Sequence, residues 1–150
     1  MNRLETKMRE LRARGDHGVA PYVMAGDGGL DRTLQVMRAL DEAGAACLEL
    51  GLPFSDPIAD GPVLQAAADR AIEAGTTFEG ALGTLARFRE KSRLPVVVMT
   101  YANPLLRRGW AESARVVARA GGDGLIVADL PVEEGEEMAH PPDAVQFLQP

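Results

Sequence analysis

The chain has 150 residues, 16 basic against 22 acidic side chains for a net charge of −6, 46% apolar residues, 10 prolines and one cysteine. That length supports one substantial core without disulfides or metals. The acidic balance offers no clustered Lys/Arg footprint for phosphates, so neither a nucleic acid nor a membrane is expected as a partner.

Cys47 has no cysteine to pair with, and His17 and His140 stand too far apart in sequence to suggest a metal cluster, so no metal is expected. No stretch approaches the ~20 consecutive apolar residues of a membrane span. The first fourteen residues alternate Arg and Glu with Leu and Met and lack the apolar core of a secretory signal. A cytoplasmic location is therefore expected.

In chain order, Leu4, Met8 and Leu11 recur at helical spacing and predict a leading helix over 3–14. A first strand over 19–24 ends in the loop Gly26-Asp27-Gly28-Gly29, and 30–43 is periodic and helical, with Gly44 suited to its C-terminal cap. A short strand over 47–50 leads through a long Pro-rich loop into a helix over about 62–74, closed by Gly75. A further helix spans 78–91, a third strand 95–100, a helix 111–120 and a fourth strand 124–128. A helix begins at 133–138 and is stopped by His140-Pro141-Pro142, because proline lacks the needed N–H and disfavours helix at the preceding residue. Residues 145–148 predict a fifth strand.

Strands alternating with helices, and runs such as 95–99 without polar alternation, imply an α/β fold with a parallel sheet covered by helices. The solutions are an open doubly wound sheet and a (βα)8 TIM barrel. The loop Gly26-Asp27-Gly28-Gly29 reads as an ordinary turn, because no G-x-G-x-x-G follows it. The barrel is preferred, but a barrel needs about 250 residues. The expectation is therefore a single domain over 1–150 forming a partial barrel, about its first five βα units, with the C-terminal strands and phosphate-binding loops absent.

Alternation along a strand puts Cys47, Glu49 and Gly51 on one face and Leu48 and Leu50 on the other. If the leucines meet the helices, Glu49 points into the barrel at the C-terminal end of its strand, where barrel enzymes place their chemistry. A carboxylate there is partly desolvated, which suits it to proton transfer near neutrality. The alternative is a solvent-facing or edge glutamate. Asp60 precedes Gly61-Pro62 at a predicted helix start and can equally be a helix cap or turn residue.

The string Glu49-Leu50-Gly51-Leu52-Pro53-Phe54-Ser55-Asp56-Pro57-Ile58-Ala59-Asp60-Gly61-Pro62 closely resembles the signature of the tryptophan synthase α subunit family. Three further segments match in order: Pro21-Tyr22 leading to Gly26-Asp27, Met99-Thr100-Tyr101-Ala102-Asn103-Pro104, and Val127-Ala128-Asp129-Leu130-Pro131-Val132-Glu133-Glu134. The resemblance implies retro-aldol cleavage of indole-3-glycerol phosphate to indole and glyceraldehyde 3-phosphate. It also implies that indole passes to a β subunit carrying pyridoxal phosphate, in a heterotetramer, with no cofactor in this chain.

By matching position, Glu49 is the acid/base residue and Asp60 the carboxylate that stabilises positive charge developing at the indole nitrogen. Tyr22, Leu64, Met99, Tyr101 and Ala128 line the indole pocket, a role that plain core packing would also satisfy. Pro53, Asp56, Pro57, Asn103, Asp129 and Pro131 face the β subunit, with Asp56 alternatively an Asp-Pro turn residue.

The sequence departs from the family pattern in three places. Met24 stands where the family usually has Thr, the stretch after Glu134 is short, and the chain ends at Gln149-Pro150 before the phosphate-binding loops. The 150 residues alone are accordingly expected to be inactive or very weak. The competing reading is a truncated, non-catalytic module that docks on a β subunit and modulates it.

Overall fold

Short runs of β-branched and leucine side chains between amphipathic helices give the chain its order. A computed structural model describes residues 3–131 and 146–148. The elements are α1 (Arg3–Arg14), β1 (Tyr22–Met24), α2 (Leu30–Glu42), β2 (Leu48–Gly51), α3 (Pro62–Glu73), α4 (Phe78–Arg89), β3 (Val96–Thr100), α5 (Ala102–Leu106), α6 (Trp110–Arg119), β4 (Gly124–Val127) and β5 (Gln146–Leu148). Every strand pair is parallel, and the sheet order is β1-β2-β3-β4-β5. An open doubly wound sheet reverses its strand order at a switch point, whereas consecutive order throughout is the order of a barrel.

The register sorts the side chains into two faces. Tyr22, Glu49, Val97 and Gly124 are partners across the sheet, as are Met24, Gly51, Met99 and Ile126. The intervening residues Leu48, Leu50, Val96, Val98, Leu125 and Val127 join Leu34 and Met37 of α2, Leu82, Leu85 and Phe88 of α4, and Val117 of α6 in the main core. Each such fully buried large side chain contributes about 1.5–3 kcal/mol. Burying the leucines against helices turns Glu49 to the opposite, inner face.

Two helices separate β2 from β3, and only the second joins the outer layer, where α4 packs beside α2. The first, α3, buries Ala67, Ala68 and Ala71 in a separate small cluster with Met24 and Tyr22 of β1. Thr77 begins α4, its hydroxyl accepting the Gly80 N–H at 3.0 Å. Thr77→Ala should therefore cost about 0.5–2 kcal/mol, seen as a lower urea midpoint at unchanged slope.

The N-terminal end of the sheet is tied by Asp123. Its carboxylate accepts the Val96 N–H at 2.9 Å and pairs with Arg3 of α1 at 2.8 Å and with Arg89 of α4 at 3.3 Å. Arg89 also donates to the carbonyls of Ser92, Leu94 and Gly121. Arg3 thus ties the leading helix to this end of the sheet, also donating to the Gly121 carbonyl, while Leu4 and Leu11 of the helix are half-buried and none of its residues is fully buried.

The first strand is shorter than predicted. Pro21 has no N–H for the ladder, and only isolated bonds extend the pairing: Ala46 N–H to the Val19 carbonyl and Glu49 N–H to the Pro21 carbonyl, each at 2.9 Å. The second strand begins one residue later than predicted and includes Gly51. The fifth strand lies at Gln146–Leu148, within the predicted segment, while the helix predicted over 133–138 lies outside the described residues. Among the described residues, no helix is long and apolar enough to cross a membrane, and no group of three His, Cys, Asp or Glu side chains is placed to hold a metal.

Candidate active site

The inner face carries Tyr22 at the start of β1 and its register partner Glu49, the second residue of β2 and not its last as the predicted strand 47–50 suggested, then Met99 near the end of β3 and, one step beyond the strand ends, Tyr101 and Ala128. Tyr101 is buried, and Tyr22, Glu49, Met99 and Ala128 are half-buried around the mouth. These four lining side chains and Glu49 came from four different segments of sequence, and the parallel register brings them to one face of the sheet, Tyr22 opposite Glu49 and Met99 two residues further along.

Gly51 makes this layer possible. A Cβ built on it would lie 1.9 Å from the Tyr22 hydroxyl oxygen and 2.4 Å from Cζ, so the phenol ring occupies the space a side chain would take. Burial pushes the Tyr22 phenol well above its ordinary pKa, helped by the charge of Asp60 and, to a smaller extent, by Tyr101 and Glu49. Gly51→Ala should cost about 1–3 kcal/mol of stability through overpacking. Chemical unfolding should show that cost in the native background and little of it when Tyr22 is also alanine.

Asp60 reaches the same region from the loop after β2. Its peptide N–H donates to the Pro57 carbonyl at 3.0 Å, and its carbonyl accepts the Gln65 side-chain amide at 2.8 Å. The cap of α3 is Gly61, without a side-chain hydrogen bond, so the carboxylate of Asp60 is not the helix cap that its position before Gly-Pro suggests. Next door, the Ala59 N–H donates to the Tyr101 hydroxyl at 3.1 Å. Burial raises the Tyr101 phenol, and the Asp60 carboxylate beside it adds to that rise against the Ala59 contact. Tyr101 thus anchors the loop that carries Asp60. Leu64 sits half-buried on the first turn of α3, immediately after this loop.

The outer rim forms a groove of about 530 Å³ lined by Pro53, Phe54, Asp56, Asn103, Leu106 and Arg107, with Ile72 of α3 at one side. Phe54 stacks on Tyr101 with ring centroids 5.2 Å apart, which joins this groove to the Asp60 loop. Pro53, Asp56 and Asn103 are thereby brought together, while Pro57, Asp129 and Pro131 do not line the groove. Asp129 acts locally, its carboxylate accepting the Ala102 N–H at 2.7 Å at the start of α5. Asp56 accepts the Ser55 hydroxyl at 2.7 Å, and its carbonyl accepts the Ile58 N–H, so it also serves the turn.

Sequence reasoning missed α5, Gln65 and the close approach at Gly51. Pro104 reads as a helix breaker, yet it falls in the first turn, where its missing N–H has no intrahelical acceptor to lose. Nothing local marks Gln65 as the residue that holds the Asp60 peptide.

Consecutive parallel strands, helices on the outer face and a carboxylate on the inner face define a βα-barrel protein. The family model described as tryptophan synthase alpha chain matches residues 8–146. The tryptophan synthase alpha chain of Carboxydothermus hydrogenoformans is 48% identical over 138 residues, covering 92% of this chain and 52% of that protein. That of Alkalilimnicola ehrlichii is 50% identical over 135 residues, covering 89% and 49% respectively. Among solved structures, tryptophan synthase subunit alpha from Legionella pneumophila str. Paris matches with a TM-score of 0.90 at 38% identity, over 93% of this chain and 53% of that one. A chain of the tryptophan synthase α2β2 complex from Pyrococcus furiosus matches with 0.84 at 37%, over 88% and 54%. The chain belongs to the tryptophan synthase alpha chain family. It spans about half the length of the curated relatives it matches, and its fold is the corresponding part of a (βα)8 barrel.

Proposed function

We propose that these residues carry the catalytic half of a site that cleaves indole-3-glycerol phosphate into indole and glyceraldehyde 3-phosphate, a carbon–carbon lyase reaction. The observation that carries this reading is the placement of Glu49 on the inner face opposite Tyr22, with the following loop, which carries Asp60, held to the Tyr101 hydroxyl through the Ala59 N–H. Glu49 delivers a proton to C3 of the indole, which converts the ring into an indolenine able to accept the electrons of the breaking bond. It then takes the proton from the glycerol hydroxyl, the carbon–carbon bond breaks, and the electrons return to the ring. The Asp60 carboxylate stabilises the positive charge on the ring nitrogen. Two carboxylates in different surroundings divide such work naturally.

Tyr22, Leu64, Met99, Tyr101 and Ala128 hold the planar ring, with apolar surface on several sides and hydroxyls at the margin. The groove at Pro53, Asp56 and Asn103, together with Pro57, Asp129 and Pro131, receives a tryptophan synthase β subunit, in keeping with the α2β2 assembly of the Pyrococcus furiosus relative. Pyridoxal phosphate belongs to that subunit, and no cofactor is assigned to this chain. The location is cytoplasmic, in keeping with the buried, unpaired Cys47.

The test is indole release from indole-3-glycerol phosphate by the complete natural gene product, with and without β subunit. Steady release that rises on adding β subunit is expected. Binding and activation of the β subunit with no indole formed would replace the lyase by a docking module. The 150 residues alone should release little or no indole, because remote phosphate binding normally supplies energy used at the reacting centre; near-normal release would contradict that.

A further inference from the structure

We propose that the ion pair between Arg70 of α3 and Asp27 of the β1–α2 loop is a positioning clamp that holds the Asp60 carboxylate in place through α3. The inference rests on the reading of Asp60 given above. Arg70 meets Asp27 in a forked contact, Nε to Oδ1 and a terminal nitrogen to Oδ2, each at 2.8 Å, across 43 positions of sequence. Paired donors of this kind fix orientation as well as distance. The pair acts in both directions: hydrogen bonding to Arg70 lowers the Asp27 carboxyl, and Asp27 raises Arg70.

The reason such a clamp matters is the thin packing of α3. The helix buries only three alanine side chains, against Met24 and Tyr22, outside the main core. Methyl groups offer little area to hold a helix against rotation or sliding. The loop that receives Arg70 is well anchored. The Gly26 N–H donates to the buried Thr33 hydroxyl at 2.9 Å, and Gly29 N–H to the Gly26 carbonyl at 2.8 Å. A Cβ at Gly26 would lie 1.8 Å from the Thr76 hydroxyl oxygen, so the segment leaving α3 presses on the same loop. At its other end α3 begins one residue after Gly61, and Gln65 on its first turn holds the Asp60 carbonyl at 2.8 Å. Movement of α3 therefore carries Asp60 with it. Arg70 and Asp27 touch no reacting atom; they act through the helix.

Arg70→Ala, Asp27→Ala and the double variant, each in the complete gene product with β subunit, provide the test. Each single variant should lower kcat roughly tenfold, since a shift of about 1 Å at a reacting group can cost up to ~10²-fold, while KM changes little. The double variant should be no worse than the poorer single one, because residues acting through each other are not additive. Native kcat in the single variants, or losses that multiply in the double, would overturn the clamp. Amide hydrogen exchange gives a second readout independent of catalysis: residues 57–73 should exchange faster in the variants while β2 and β3 do not change. Unchanged exchange over 57–73 would overturn the clamp. A native protein that releases no indole would instead remove the role given to Asp60, and exchange alone would then decide whether Arg70 fixes α3.

Discussion

Glu49→Gln is expected to lower indole release from indole-3-glycerol phosphate by roughly 10²–10⁴-fold, the usual worth of a positioned acid/base group. Glutamine keeps the shape and length of the side chain but can neither give nor take the proton that C3 and the glycerol hydroxyl require. Glu49 lies on the inner face beside Tyr22, and the rim groove at Pro53 and Asn103 does not include it. Affinity for the β subunit should consequently stay close to native. Single-turnover indole release and calorimetric titration with β subunit, done on the same preparation, separate the two effects. Native turnover in this variant would take Glu49 out of the mechanism.

Asp123→Ala is expected to cost about 3–5 kcal/mol of stability, the range found when one partner of a buried ion pair is removed. The Asp123 side chain is only 2% exposed and Arg89 15%, so the loss leaves a guanidinium in a poorly hydrated place and the Val96 N–H without its acceptor. It also removes one of the two contacts by which Arg3 ties α1 to the sheet, leaving the bond to the Gly121 carbonyl. Asp123→Asn keeps an oxygen for the Val96 N–H and should cost less. Urea unfolding of both variants gives the comparison; equal losses would mean that the charge contributes little beyond the hydrogen bond.

The main architecture was legible because strands and helices here differ in period. Leu48, Leu50, Val96 and Val98 face helices and are apolar, whereas Glu49 breaks the apolar run at an inward-facing position between Leu48 and Leu50. The consecutive strand order was not legible from periodicity, since an open sheet and a barrel use the same βα units; the structure supplies it. Boundaries shifted where a backbone effect outweighed side-chain type, as at Pro21, which shortens β1 to Tyr22–Met24. The two readings of Asp60 could not be separated locally, because a carboxylate before Gly-Pro suits a cap in any helix, and only the three-dimensional path shows Gly61 in that place. Arg70 and Asp27 carry no local signal at all, since exposed charges on a helix and in a glycine-rich turn are ordinary until the fold brings them within 2.8 Å.

The role assigned to the two carboxylates is tested most directly by a crystal structure of the complete gene product carrying Glu49→Gln, soaked with indole-3-glycerol phosphate. The predicted result has the indole ring between Tyr22, Met99 and Tyr101, its nitrogen within about 2.7–3.2 Å of the Asp60 carboxylate, and the side chain at position 49 facing C3 and the glycerol hydroxyl. A substrate bound with its ring away from this layer, or with Asp60 turned from the nitrogen, would contradict it.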